Sequence, residues 1–215
     1  YSEMMLEGLG GPLTAEQKEY LGIIMEKGEN LLQLITSILD ISKIEAGRVR
    51  LILAEADPGQ LMRDAVATVL PIARKKGVRV ACDPVDLPRI HCDREKLRQC
   101  LVNLCQNAVK FTPQGGTIGV GAAIEGDRLA LRVQDTGIGI PPEHRERVFD
   151  VFYQVDGSST REFGGAGLGL AIVKSFVEAH GGTVGVAPRE GGGSIFTLLL
   201  PLRPAAVASG QAHEP

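Results

Sequence analysis

Three short motifs of this chain combine amides, a lysine, an acid and closely spaced glycines. They are NLCQNAVKF at residues 103–111, DTGIGI at residues 135–140 and GGAGLGL at residues 164–170. Amide oxygens and ammonium groups suit a metal ion and phosphates, and glycines let a backbone approach a ligand closely. Each motif alone is weak evidence, but their order and spacing together predict a nucleotide-binding site.

The first motif separates into a polar and an apolar face when it is drawn as an α-helix. At about 100° per residue, Asn103, Asn107 and Lys110 fall within roughly 60° of one another. The polar arc can face a triphosphate and its Mg²⁺, because Mg²⁺ takes oxygen ligands and lysine supplies a point charge to phosphate oxygens. A neighbouring apolar arc suits a core, and it contains Leu97, Leu101, Leu104, Ala108 and Phe111.

The second motif places an acid at the end of a predicted strand. Asp135 follows the apolar, alternating run 129–133. A carboxylate at a strand end can accept a hydrogen bond from an exocyclic amine such as that of adenine. Gly137 and Gly139 permit positive φ and close approach of the backbone to a ligand.

The third motif opens a helix. Gly165, Gly167 and Gly169 lead into the apolar stretch 170–176, and the free N–H groups at such a helix start form an anion site. The pattern is not a Walker loop, because no Gly-Lys-Ser/Thr follows, and its context does not fit a dinucleotide fingerprint.

The ordered set resembles the catalytic, ATP-binding domain of sensor histidine kinases. NLCQNAVKFTPQGG resembles the N box of that family, DTGIGI the first glycine box, VFDVFYQVD the F box and GGAGLGLAIVKSFVEAHGG the second glycine box. GGGSIFTLLLP resembles the closing strand. The resemblance covers about residues 50–202 and departs from the family pattern at Ala166, where threonine is usual.

The resemblance implies that ATP and Mg²⁺ are bound, and it assigns a role to each box. Asn103 would hold Mg²⁺, Asn107 and Lys110 the phosphates, and Asp135 the adenine amine, with Asn103 and Lys110 as the catalytic pair. Phe149 and Phe152 would anchor a flexible lid over residues 153–166. The other expected cofactor-binding positions are Phe111, Gly137, Gly139, Ile140, Gly165, Ala166, Gly167, Leu168, Gly169 and Leu170.

The elements that must position these motifs predict an α/β fold. It is a two-layer α/β sandwich, which the resemblance assigns to the histidine kinase, gyrase and chaperone ATPase type, preceded by a partial helical hairpin. Helices are predicted at 58–76, 94–111 and 168–180, with a short helix at 142–149. Strands are predicted at 48–57, 78–82, 89–92, 116–125, 128–135, 182–187 and 194–200.

Ahead of this domain, residues 14–46 predict one long helix. Thr14 and Gln17 form a capping box at its start, and apolar residues recur in steps of three and four from Leu21 to Ile38. That spacing favours a seam between bundle helices, with a monomeric core helix as the alternative. We therefore predict a truncated dimerisation hairpin at 1–47, the catalytic domain at 48–203 and a disordered tail at 204–215.

Composition argues against several other classes. The net charge of −3 and the pI near 5.9 argue against a nucleic-acid partner, and no apolar run approaches the roughly 18 residues of a membrane span. The four cysteines show no Cys-x-x-Cys spacing and predict reduced, buried thiols of a cytoplasmic protein, without a zinc site. No membrane contact is expected, although a longer parent protein could be membrane-anchored.

The histidines decide what this chain can do alone. A phosphoacceptor of this family lies in a Ser/Ala-His-Glu-x-x-x-Pro-Leu stretch on the first bundle helix, and no such stretch occurs among the 215 residues. The resemblance thus implies a histidine kinase fragment without its acceptor. Its expected partners are a response-regulator receiver domain and, in the full-length protein, a second copy bound through the hairpin.

Three alternatives stay open. An ATPase of the same fold, such as the gyrase, chaperone and mismatch-repair relatives, has a water-activating glutamate where this chain has Asn103, and asparagine cannot act as a general base. A nucleotide-binding scaffold without chemistry and a phosphatase acting on a regulator are the other two. ATP turnover measured against ATP affinity separates the ATPase from the rest.

Overall fold

The chain divides into two compact units, Tyr1–Ala46 and Gly47–Pro215. The computed structural model describes residues 1–46, 50–83, 87–155 and 166–202. The predicted tail at 204–215 and most of the predicted lid, residues 156–165 with Gly165, lie outside the described residues. Within the described ranges, no helix has the length and apolar character that crossing a membrane requires.

The first unit is a helical hairpin of α1 (Ser2–Leu6) and α2 (Ala15–Glu45). The predicted capping box is confirmed: the Gln17 N–H donates to Thr14 Oγ1 at 3.2 Å, and the Thr14 N–H donates to Gln17 Oε1 at 2.9 Å. Many apolar side chains of α2 are exposed, and such a stripe is typical of a helix that packs against a partner. They include Ile24, Leu31, Leu32, Ile35, Ile38 and Leu39.

The second unit is built on a five-stranded mixed sheet. The strand order is β2-β4-β5-β7-β6, in which β2 runs parallel to β4 and the other pairs are antiparallel. A separate two-stranded sheet pairs β1 with β3. The strands are β1 (Ala54–Ala56), β2 (Arg79–Cys82), β3 (Ile90–Cys92), β4 (Thr117–Glu125), β5 (Arg128–Asp135), β6 (Thr183–Pro188) and β7 (Ser194–Pro201).

Three helices pack against the five-stranded sheet, with α4 (Arg94–Phe111) between α3 (Pro58–Lys76) and α5 (Gly169–Ala179). The burial of β7 alternates strictly from Ser194 to Leu200, as expected for a strand with one covered face. The predicted two-layer α/β sandwich, preceded by a helical hairpin, is therefore confirmed.

Residues 48 and 49 of the predicted strand at 48–57 lie outside the described residues, and over the described part the prediction is too long. β1 covers only Ala54–Ala56, and its ladder ends where Ala54 pairs with Cys92. The ladder cannot extend further because the next residue, Asp93, caps α4. The Asp93 carboxylate accepts the N–H of Ile52 at 2.9 Å, so the chain ahead of β1 bonds to a helix cap rather than to a strand.

The predicted short helix at 142–149 is instead two 3₁₀ turns, Pro142–His144 and Arg147–Phe149. In the first turn, the N–H groups of His144 and Arg145 donate to carbonyls three residues back, at 3.0 and 3.3 Å. That bonding is tighter than in an α-helix and rarely extends beyond about four residues.

Three of the four free cysteines are buried, as predicted, whereas Cys82 on β2 is half-exposed. Burial raises the pKa of Cys92 to about 11 and that of Cys105 to about 12. These two thiols therefore stay protonated, and unreactive as nucleophiles, near neutral pH.

Asp93 joins three elements at the start of α4. Its Oδ1 accepts the N–H of Lys96 at 3.1 Å, and its own N–H donates to Nε2 of the buried His180 at 3.0 Å. The other ring nitrogen of His180 lies 2.6 Å from the carbonyl oxygen of Phe176, which fits a neutral ring with its proton on Nδ1. His180 thus links the end of α5 to the start of α4.

We expect Asp93→Ala to cost more stability than Asp57→Ala. Asp57 caps α3, is exposed, and accepts the N–H groups of Gly59 and Gln60. Its loss should lower the free energy of unfolding by about 1 kcal/mol. Asp93→Ala removes a comparable cap together with the Ile52 bond, so about 2 kcal/mol is expected. Urea denaturation of both variants checks the difference, and equal losses would contradict it.

Candidate functional site

The polar stripe of the first motif lies along one side of α4. Asn103, Asn107 and Lys110 are half-buried, while the core side of the helix is fully covered. Burial lowers the pKa of the Lys110 ammonium, whose Nζ lies 4.7 Å from the ring centroid of Phe111. Phe111, expected on the core arc, is itself only half-buried.

The third motif meets the first at Asn103. Its side-chain Nδ2 lies 3.4 Å from the carbonyl oxygen of Gly169, the first residue of α5, and donates to it. A Cβ on Gly169 would lie 3.8 Å from Asn103 Cγ. Leu168 stands at the N-cap of α5 and its side chain makes no capping hydrogen bond. The start of α5 therefore has N–H groups for an anion, next to the first residue of the polar stripe.

The second motif holds a buried carboxyl group. Asp135 is 5% exposed and its Oδ1 accepts the N–H of Gly137 at 2.8 Å. Burial raises the pKa of Asp135, and backbone hydrogen bonds from Gly137 and Ser194 oppose that rise. A carboxylate has about four acceptor positions, so two backbone donors leave room for a further hydrogen bond.

The glycines of the second motif allow the backbone to pass between two other segments. A Cβ on Gly137 would lie 2.6 Å from the carbonyl oxygen of Phe111, at the end of α4. Gly139 has φ +73, and a Cβ there would lie 3.3 Å from the carbonyl oxygen of Gly193. The second motif therefore packs between the end of α4 and the turn that joins β6 to β7.

Gly193 is a site residue that the sequence reasoning missed. A Cβ there would lie only 1.9 Å from the backbone carbonyl oxygen of Asp135, and Ser194 beside it donates to the Asp135 carboxylate. The sequence signal for this position is the glycine triplet 191–193 ahead of the closing strand, and all three glycines have positive φ.

The two sides of the predicted lid touch each other at their described ends. The Phe152 N–H donates to the Gly167 carbonyl at 3.1 Å. Gly167 has φ +69, and a Cβ on it would lie 2.9 Å from the carbonyl carbon of Phe152. This contact places Gly167 directly beside Phe152, in the middle of the F box.

The two predicted anchors of the lid differ. Phe149 is buried and packs edge-on against Phe196, with ring centroids 6.3 Å apart. Phe152 has φ +63 and its side chain is 67% exposed, so unlike Phe149 it does not pack in the core.

The remaining predicted positions are mixed in exposure. Ile140, Ala166 and Leu170 are half-buried, whereas Leu168 is buried. The structure thus brings the three motifs together on α4: the third motif meets Asn103, and the second meets Phe111. Asn103 and Phe111 lie at opposite ends of the polar stripe.

A family model described as histidine kinase-, DNA gyrase B-, and HSP90-like ATPase matches residues 92–204. A second model, described as the His Kinase A (phospho-acceptor) domain, matches residues 1–47. The chain belongs to the histidine kinase-, DNA gyrase B- and HSP90-like ATPase family, and the resemblance to sensor histidine kinases is confirmed.

The relatives are sensor kinases with longer chains. The circadian input-output histidine kinase CikA of Synechococcus elongatus is 42% identical over 205 residues, which make up 93% of this chain and 27% of CikA. Full-length ShkA in complex with AMPPNP is 38% identical with a TM-score of 0.78, covering 96% of this chain and 43% of ShkA. ThkA in complex with the response regulator protein TrrA is 25% identical with a TM-score of 0.70, and the match covers 94% of this chain and 58% of the ThkA chain.

Proposed function

We propose that this chain is the ATP-binding catalytic region of a sensor histidine kinase. It transfers the γ-phosphoryl group of Mg·ATP to a histidine of the dimerisation domain, for relay to an aspartate of a response regulator. The observation that carries the proposal is the contact of both glycine motifs with α4, one at each end of its polar stripe.

The phosphates occupy the space between the polar stripe and the start of α5. Lys110 and Asn107 donate to phosphate oxygens, and the uncapped N–H groups of α5 favour negative charge. Asn103 offers its amide oxygen to Mg²⁺, since its Nδ2 is engaged with Gly169. Mg²⁺, when bound, neutralises charge on the phosphate oxygens during transfer.

The adenine lies against the second motif. Asp135 accepts a hydrogen bond from the exocyclic amine, with its carboxylate already oriented by the backbone N–H groups of Gly137 and Ser194. Catalysis then rests on positioning and charge stabilisation rather than on covalent chemistry by the protein.

Phosphotransfer is favoured over ATP hydrolysis because Asn103 stands where the ATPases of this fold have a glutamate. An amide cannot take a proton from water. The Asn103 amide donates to the carbonyl of Gly169, and this contact does not make it a base. The chain should therefore bind ATP with little turnover.

The partners follow from the helical hairpin and from the relatives. The exposed apolar side chains of α2 suit a four-helix dimer with a second copy. The ThkA structure includes a response regulator protein, and a receiver domain of that kind is the partner we propose here. We propose a cytoplasmic location, because the four cysteines are free thiols.

The experiment that tests this function is calorimetry with ADP, ATP and inorganic tripolyphosphate in the presence of Mg²⁺. One site is expected for each nucleotide. We predict that Asp135→Asn weakens ADP and ATP binding about 10–100-fold, the effect of losing a hydrogen bond to a charged acceptor. Binding of tripolyphosphate should stay unchanged, because it has no base. An equal loss for all three ligands contradicts the adenine role of Asp135.

The same variant makes a second prediction, about stability without nucleotide. The raised pKa of Asp135 means that folding disfavours the ionised carboxyl group. The resulting loss of stability is therefore fully present above the pKa that Asp135 has in the folded state. It disappears below the unfolded value of 3.8, where the group is protonated in both states. Asp135→Asn should therefore raise the melting temperature at pH 7 relative to wild type, and the gain should vanish near pH 3.

A further inference from the structure

The last turn of α4 has carbonyl groups that an α-helix cannot satisfy by itself. The first of the four, that of Ala108, accepts the N–H of Thr112 at 3.0 Å. The last, that of Phe111, accepts the N–H of Ile138 from the second motif, at 3.4 Å. The two carbonyls between them need donors from elsewhere.

Those donors come from one side chain of a different helix. Lys76, the last residue of α3, directs its ammonium to the carbonyl oxygens of Val109 and Lys110, at 2.8 and 2.6 Å. An ammonium group has three donors and no acceptor, and its positive charge is favourable at the negative end of a helix dipole. Lys76 therefore acts as a cap for a helix 33 residues further along the chain.

Hydrogen bonds fix the backbone around Lys76. The position of its ammonium is therefore more restricted than that of a lysine on an exposed surface. Gly77 follows it at φ +72 and ends α3. The Gly77 carbonyl accepts the N–H of Gly115 at 2.9 Å, and the N–H of Arg79 donates to Gly116 at 3.0 Å. Both segments that leave the two helices are thus bonded to each other, and Lys76 is half-buried between them.

We propose that Lys76 is a positioning residue for phosphate binding. It holds the backbone of Lys110, and with it the ammonium that contacts the phosphates, while Ile138 holds the neighbouring Phe111. The inference rests on the proposed function, because it requires Lys110 to contact phosphate. It assigns to Lys76 no contact with the nucleotide.

The test compares two lysines in the last turn of α3. Lys76→Met keeps the apolar stem and removes the donors. Lys75→Met makes the same change of net charge at an exposed neighbour. Binding of tripolyphosphate, ATP and adenosine to each variant is measured by calorimetry with Mg²⁺, at a temperature where thermal melts show that each variant is folded.

For Lys76→Met we expect tripolyphosphate and ATP to bind about tenfold more weakly, because a misplaced Lys110 loses one charge-assisted hydrogen bond to phosphate. Adenosine should bind as to wild type, and Lys75→Met should change none of the three. Lys76→Arg, which retains donors and charge, should recover most of the phosphate affinity. A general loosening of the fold would instead weaken adenosine as well.

The outcomes separate the inference from the proposed function. If the wild type binds neither ATP nor tripolyphosphate, the proposed function fails. If the wild type binds both and Lys76→Met matches it, or matches Lys75→Met, the inference about Lys76 is overturned. If Lys76→Met does not fold, Lys76→Leu, which also lacks donors, replaces it. A wild-type affinity of that variant for tripolyphosphate also overturns the inference.

Discussion

Incubated with γ-labelled Mg·ATP, this 215-residue chain is expected to bind the nucleotide and to acquire no phosphohistidine label. Transfer needs donor and acceptor atoms about 3–3.5 Å apart in an aligned geometry. The hairpin, residues 1–46, contains no histidine. An acceptor would therefore have to come from the second unit or from another molecule.

The histidines of the second unit are poorly suited to that role. His91 lies in the short strand β3, and His180 is buried with both ring nitrogens engaged by backbone groups. The Nδ1 of His144 lies 2.6 Å from the Tyr153 hydroxyl. His213 lies outside the described residues.

A trans assay makes the expectation decisive. When a dimeric helical bundle with its own acceptor box is added, the label should appear on the bundle and not on this chain. Asn103→Ala in this chain should abolish that label, because it removes the proposed Mg²⁺ ligand. An acid-labile, base-stable label on the chain alone would falsify the proposal and identify an acceptor among the four histidines.

Gly193→Ala is expected to be the most disruptive single substitution in the second unit. Its Cβ would lie 1.9 Å from the carbonyl oxygen of Asp135 and 3.0 Å from the Cα of Thr136. Both obstacles are backbone atoms, so no side chain can rotate away. We expect a loss of more than about 4 kcal/mol in the free energy of unfolding, which is an exceptional value for one substitution.

Gly192→Ala is a matched control. Gly192 has φ +101 and Gly193 has φ +100, so alanine meets the same backbone strain at either position. No atom of the described residues lies within 4 Å of a Cβ at Gly192. Only the backbone strain should therefore act there, and it should lower the free energy of unfolding by about 1–2 kcal/mol. Urea denaturation measures both variants. Similar losses would mean that the contact with Asp135 does not constrain the turn.

Local signals made much of this fold predictable. The helix of the first motif begins and ends where it was predicted, at Arg94–Phe111, because Asp93 caps it and its apolar period is regular. Strands β4 and β5 match closely for a similar reason, since residues 125–128 carry a clear turn. The capping box at Thr14 is equally local.

What could not be predicted depends on contacts between distant residues. The length of β1 is set by its partner β3, which ends at the cap of α4. Lys76 resembles any lysine at the end of a helix until the structure places it beside Val109 and Lys110. The backbone of Phe152 adopts positive φ beside Gly167. Nothing in the nine residues of the F box predicts that conformation.

Helices α4 and α5 are bonded to each other at two well-separated places. Asp93, at the start of α4, is joined to His180 at the end of α5, and Asn103 is joined to Gly169 at the start of α5. At 1.5 Å per residue, the two stretches between these links are about 15 and about 16.5 Å long, so the two links are spaced almost equally along the two antiparallel helices. The two helices should consequently open as one cooperative unit in hydrogen exchange. A substitution of the buried His180 should therefore also affect Asn103, the proposed metal ligand.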